Sequence, residues 1–209
     1  MKPIAIIGAG GHSRVIQDCI KAQGKYSVRA ILDDRFPKLK EVHGCIYADI
    51  DHARVLIEQE ENLNFILAIG NNKVRNKFVL QLFKNSNISF ATVIHPSAVI
   101  SPSAKIGTGT VIMPNVVINA DSKIGEHVIL NTNCVIEHDN IIESYAHISP
   151  SATLTGTVHI GEGSHVGAGV TIIPNKKVGA WSTVGAGAVV IQNIPSNKLV
   201  VGVPAKLID

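Results

Sequence analysis

From Ile94 onward every sixth residue is Ile, Leu or Val, without a gap as far as Val190. If about one residue in three were aliphatic, chance would produce such a run at roughly 10⁻⁸, so the period is a true repeat. Four residues after the aliphatic position the side chain is usually small, as at Ala98, Thr110, Ser122, Ala146, Ser164 and Ala188. Glycine often follows the aliphatic directly, as at Gly107, Gly125, Gly161, Gly167 and Gly185. A helix needs a period near 3.6, and an ordinary strand needs a period of two without compulsory turns. A period of six with small corner residues predicts a parallel β-helix of short strands and corners, three hexads to a triangular coil of about 18 residues. Each aliphatic then points to the axis and stacks on the residue one coil away, about 4.8 Å along it.

Such a prism is continuous core, which explains how a chain that is 45% hydrophobic folds with only 4% aromatic residues. Net charge is +3 with no Lys/Arg cluster, which argues against nucleic acid as a partner. Three well-separated cysteines, Cys19, Cys45 and Cys134, suggest reduced thiols rather than a disulfide framework. No stretch approaches the ~20 apolar residues of a membrane span. A cytoplasmic protein without membrane insertion is the expectation.

The N-terminal part has a different grammar. "KPIAIIGAGGHSRVIQDCI" reads as a buried strand, a Gly-rich turn and a helix over about 12–24. "SVRAILDD" and "NFILAIGNN" read as further strands, and an amphipathic helix is expected from Lys73 to Lys84. Alternating β and α segments predict a small Rossmann-like α/β domain over 1–88, followed by an all-β helical domain with a C-terminal tail over 89–209. Ligands of such sheets bind at the strand carboxyl ends, where Gly10, Gly11, His12, Asp33, Asp34 and Gly70 fall. "GAGGHS" lacks the last glycine of a dinucleotide fingerprint, because Ser13 stands there, so NAD is disfavoured. Backbone N–H groups at the helix start would still suit a diphosphate, and the two aspartates would suit sugar hydroxyls. A tight structural turn and solvated turn carboxylates explain the same residues.

In the repeat, "NTNCVIEHDN" places three polar residues side by side. With Ile136 inward, Glu137 faces outward and His138 falls at a corner. His147 and His165, 18 apart, stack on one outward face. The "GAG" triplets at 167–169 and 185–187 also stack and would form a shallow channel suited to a pantetheine arm, though plain turn glycines would look similar.

Repeat, "EHD" corner, the closing "VVGVPAKLI", and the "GAGGH", "LDD" and "AIGNN" segments together resemble hexapeptide-repeat bacterial sugar acetyltransferases of the PglD/NeuD type. The resemblance implies a left-handed coil, homotrimers with active sites between subunits, and acetyl-CoA as co-substrate with no metal. It further implies a nucleotide-sugar acceptor, typically a UDP-4-amino-4,6-dideoxyhexose, held by the N-terminal domain. It makes His138 the general base and Asp139 its orienting carboxylate, where the family often has Glu. Asn131 and Glu137 match active-site positions, and His147, Ala168 and Ala186 match acetyl-CoA contacts. Sialic-acid O-acetyltransferases share the architecture and are the alternative acceptor class. Two rivals are a zinc carbonic-anhydrase type, drawing on His127, His138, His147, His159 or His165, and a non-enzymatic nucleotide-sugar-binding scaffold, which would need no "EHD".

Overall fold

The computed structural model describes residues 1–82 and 88–208. The chain divides into two compact units, Met1–Ile94 and His95–Asp209.

In the first unit, β1 (Lys2–Ile7) is followed by α1 (Gly11–Gln23), β2 (Tyr26–Leu32), β3 (Lys40–Val42) and β4 (Cys45–Ala48). Then come α2 (His52–Gln59), β5 (Asn64–Leu67), α3 (Asn72–Leu82) and β6 (Ser89–Phe90). The sheet order is β3-β4-β2-β1-β5-β6. Neighbouring strands pair in parallel except β3 with β4, which are antiparallel. β1 is central and reads as an unbroken apolar run because both of its faces are covered: Ile4, Ala5, Ile6 and Ile7 are each fully buried. Helix α1 stops at Gly24, whose left-handed φ of 66° lets its N–H reach the Ile20 carbonyl. The expected helix from Lys73 begins one residue earlier, and Lys84 lies outside the described residues.

Four elements have no counterpart in the sequence reading. Strands β3, β4 and β6 are only two to four residues long. Helix α2, eight residues, buries little beyond Ala53 and Leu56. Such short segments carry too few periods for a pattern to show.

The second unit is a left-handed parallel β-helix. Two-residue strands stack in three columns with a register of 18: Val111 on Ile129, Val117 on Val135, Lys123 on Ile141, and so on upward. The aliphatic hexad positions from Ile112 to Val190 are no more than 4% exposed. Burying each such side chain is worth about 1.5–3 kcal/mol, so the stack supports the unit with no aromatic core. The repeat also contains a signal that the hydrophobic pattern hides. At every sixth position from 109 to 187 the backbone is left-handed, with φ between 53° and 71°. Asn115, Asp121, Asn133, Asp139 and Asn175 occupy such positions, as do Gly109, Gly163, Gly169 and Gly187. Short polar side chains and glycine tolerate that conformation best, so these residues set the corners. Antiparallel strands Leu199–Val201 and Lys206–Ile208 close the prism.

No described helix is long and apolar enough to cross a membrane.

Candidate active site

The chemistry of the prism gathers at the corner after Ile136. Asp139 takes the left-handed turn position with φ 57°, and its Oδ2 lies 2.8 Å from His138 Nδ1. The shorter carboxylate therefore reaches the ring. An ionised carboxylate only accepts, so Nδ1 carries the proton and Nε2 keeps its lone pair. Both side chains are open to solvent, at 59% and 58% exposure. Glu137 does not touch the imidazole. Its Oε2 accepts a hydrogen bond from Asn119 Nδ2 at 2.8 Å, one coil away.

On a neighbouring face, the His147 and His165 rings stack with centroids 4.8 Å apart and planes 15° from parallel. Asn131 Nδ2 lies 3.3 Å from His147 Nε2, and Ser149 Oγ lies 2.8 Å from His165 Nε2. Asn131 is thus brought to His147, and its own Oδ1 accepts the Thr132 N–H. Ala168 and Ala186 are stacked and exposed. A Cβ added at Gly169 or Gly187 would meet nothing within 4 Å, whereas one at Gly167 would strike the Ala186 nitrogen at 2.6 Å. The two triplets therefore form a tight inner wall with an open outer edge. The Ala168 carbonyl is engaged by the Gly187 N–H.

In the first unit, the Gly-rich turn leaves β1 at Gly8, whose φ of 107° and close approach to the Ala68 carbonyl exclude a side chain. Gly10, Gly11 and Gly70 face open space. Asp33 holds this loop: its Oδ2 accepts the Ala9 N–H at 2.7 Å, and Arg35 forks onto both oxygens at 2.8 and 3.1 Å. The Arg35 hydrogen bond is the main reason that the Asp33 carboxyl is held down to about 2. Asp34, in contrast, is exposed. His12 has a buried Nε2 without a hydrogen-bond partner, and burial together with the Arg75 cation lowers its pKa to about 4. Arg75 is 1% exposed and donates to the Ile69 carbonyl at 2.9 Å and to Asn72 Oδ1 at 3.0 Å, which fixes the "AIGNN" turn.

The PglD N-terminal domain model matches residues 3–82. A UDP-N-acetylbacillosamine N-acetyltransferase of Bacillus subtilis is 45% identical over 112 residues, 52% of this chain. That match spans about half the length of the relative, 50%. PerB from Caulobacter crescentus, solved with CoA and GDP-perosamine, superposes with a TM-score of 0.91 at 37% identity, covering 100% of this chain and 98% of that one. The chain belongs to the PglD/NeuD-type hexapeptide acetyltransferases. The acetyltransferase domain of PglB from Neisseria gonorrhoeae, solved with acetyl coenzyme A, is a further member, with a TM-score of 0.88, 35% identity and 99% coverage of each chain.

Within this PglD/NeuD-type chain, three residues near the candidate sites escaped sequence reasoning. Arg35 and Arg75 carry no local sequence signal that one locks Asp33 and the other is buried. Asn140 looked like the end of a polar run. It is fully buried. Its departure from the small residue usual at that hexad position was the one available signal.

Proposed function

We propose that the protein transfers the acetyl group of acetyl-CoA to the amino group of a nucleotide-linked amino sugar, in the cytoplasm where acetyl-CoA is made. A UDP-4-amino-4,6-dideoxyhexose is the first candidate acceptor. The observation that carries this reading is the His138 Nδ1–Asp139 Oδ2 bond of 2.8 Å, which leaves Nε2 uncommitted to the carboxylate and able to accept a proton. The relatives solved with CoA, acetyl-CoA and GDP-perosamine support the substrate classes.

His138 Nε2 takes the proton as the neutral amine attacks the thioester carbonyl. Asp139 stabilises the resulting imidazolium and holds the productive tautomer, as in triad logic. When the tetrahedral intermediate collapses, the C–S bond breaks and His138 returns the proton to the departing thiolate. The amide and free CoA thiol then balance the amine and thioester consumed. We assign the nucleotide sugar to the domain over 1–88, through Gly10, Gly11, His12, Asp34 and Gly70, with Asp33 fixing the loop. Acetyl-CoA is assigned to the prism over 89–209, through His147, Ala168 and Ala186, with Asn131 and Glu137 in support.

The protein acts as a homotrimer in this reading. His138 and Asp139 are more than half exposed, and closed threefold symmetry supplies the wall that a reacting thioester needs. A monomeric mass by light scattering across micromolar concentrations would contradict the trimer. The function is tested by an acetyl-transfer screen over UDP- and GDP-linked amino sugars and free sialic acid, read by mass spectrometry. Acetylation of an amino-sugar nucleotide is expected. Acetylation of sialic acid alone would shift the acceptor to a hydroxyl. Turnover of none would favour a binding scaffold.

A further inference from the structure

Several corners of the prism are knitted together in the same way. The residue four after the inward aliphatic donates its side-chain hydrogen bond to the carbonyl 15 residues on and accepts the N–H 18 residues on. Thr110 donates to the Gly125 carbonyl and accepts from Val128 N–H, and Ser164 donates to the Gly179 carbonyl and accepts from Ser182 N–H. Ser122 does the same with the Glu137 carbonyl and Asn140 N–H. One hydroxyl suffices for each rung.

Asn140 occupies this ladder position after Ile136 and carries more than the rung requires. Its Nδ2 donates to the Thr155 carbonyl at 3.0 Å and its Oδ1 accepts the Val158 N–H at 3.0 Å, which completes the rung. The same Nδ2 also donates back to the Glu137 carbonyl at 2.5 Å, with the His138 carbonyl at 3.4 Å. A serine has a single donor and could not make both sets. The extra bonds fall on the two residues that carry the "EH" of the corner, from a side chain with no solvent exposure. A buried amide with both ends engaged has one orientation, and it transmits that rigidity to the backbone it grips.

The imidazole itself is seated by a second residue. A Cβ added at Gly156, one coil above, would lie 2.6 Å from both Cε1 and Nε2 of His138, and the three nearest atoms all belong to that ring. Gly156 has no left-handed φ, so its backbone would accept alanine. What the absent side chain provides is room for the ring.

We propose that Asn140 and Gly156 are positioning residues for His138: Asn140 clamps its backbone from inside the prism, and Gly156 provides the bed on which its ring rests. The inference rests on the assignment of His138 as the base. It assigns work to a fully buried amide and to a glycine, neither of which offers a side chain to a ligand.

The test compares Asn140→Ser, Asn140→Ala, Gly156→Ala and His138→Ala in the full chain, by steady-state kinetics, kcat against pH, and thermal unfolding. Asn140→Ser restores the rung used elsewhere in the prism but removes the clamp, so its unfolding midpoint should stay close to wild type. Its kcat should fall about 10- to 100-fold with KM little changed, the cost of a slightly misplaced catalytic group. Asn140→Ala loses the rung as well and should also unfold earlier. Gly156→Ala should lower kcat by a similar factor without destabilising the fold, because an exposed ring can swing aside. If Asn140→Ser and Gly156→Ala keep kcat within about twofold of wild type while His138→Ala is inactive, the two residues are structural and the inference fails alone. If His138→Ala itself retains wild-type kcat, the base assignment is overturned and the positioning role with it.

Discussion

Two faces of the prism each hold a histidine against a carboxylate, and they differ in which nitrogen is used. At the first corner Asp139 binds His138 through Nδ1, and both side chains are more than half exposed. On another face Glu143 Oε1 binds His159 through Nε2 at 2.6 Å, and Glu143 Oε2 also accepts the Glu162 N–H at 2.9 Å. His159 is 31% exposed, and Glu143 borders an open groove of about 530 Å³ also lined by Lys123, Ile141 and Tyr145. Burial raises the Glu143 pKa, but the His159 bond and the Glu162 amide outweigh it and leave the carboxyl below its usual value. In the second pair Nε2 is already committed to the carboxylate. The first pair leaves Nε2 uncommitted to its carboxylate. A His–carboxylate contact alone therefore does not separate the two pairs; the nitrogen that each carboxylate occupies does.

A third histidine marks the opposite extreme. His12 has no carboxylate, a buried Nε2 and a cation, Arg75, nearby, so it stays neutral down to about pH 4. Its environment favours the neutral ring.

The comparison breaks first on His138→Ala. General-base catalysis is worth about 10²–10⁴ in rate, so kcat should fall by that factor with KM little changed. Steady-state kinetics from pH 5 to 9 would measure both. Near-normal kcat would place the base elsewhere.

The next effect is on stability rather than rate. The pKa of His12 in the folded protein, about 4, lies below the value near 6.5 expected unfolded. Between those values the unfolded chain binds the extra proton, so stability should be intact above pH 6.5 and decline as pH falls toward 4. The full difference is roughly 2–4 kcal/mol. Chemical denaturation of wild type against His12→Asn should show this pH slope disappearing in the variant; an unchanged slope would mean that His12 titrates normally.

Ala186→Leu narrows the outer edge of the stacked triplets and should weaken acetyl-CoA by about tenfold, the scale of a small-to-large clash, while nucleotide-sugar affinity holds. Calorimetry showing equal loss of both ligands would refute the separate assignment. Asp139→Asn keeps a residue suited to the left-handed turn and can still accept from Nδ1, but it lacks the charge that stabilises imidazolium. A loss of roughly tenfold in kcat follows from the gap between a neutral and a charge-assisted hydrogen bond. A loss equal to that of His138→Ala would give the carboxylate a larger part than orientation. The smallest effect belongs to His159→Ala, whose kcat should stay within about twofold of wild type if that pair is structural.

Much of the architecture was legible before any coordinates. The hexad period runs through residues whose contacts recur at a constant offset of 18, so a one-dimensional pattern encodes a three-dimensional stack. The apolar run of β1 and the glycines after it announce a buried strand and a turn because their constraints are local. The left-handed corners are also written in the chain, as Asn, Asp or Gly three residues after many aliphatics, but Tyr145, Thr157 and Trp181 at the same positions blur that pattern.

What the tertiary structure alone decided is where each polar atom finds its partner. Asp33 and Asp34 are neighbours in an identical-looking pair, yet one is locked by Ala9 and Arg35 and the other is exposed. Glu137 and Asp139 flank His138 symmetrically in sequence, yet Glu137 turns to Asn119 and Asp139 takes the imidazole. Asn140 grips carbonyls both beside it and in the next coil. Aliphatic burial is nondirectional and tolerates reading by residue type, whereas a hydrogen bond depends on ångström-scale placement of atoms that the fold brings together.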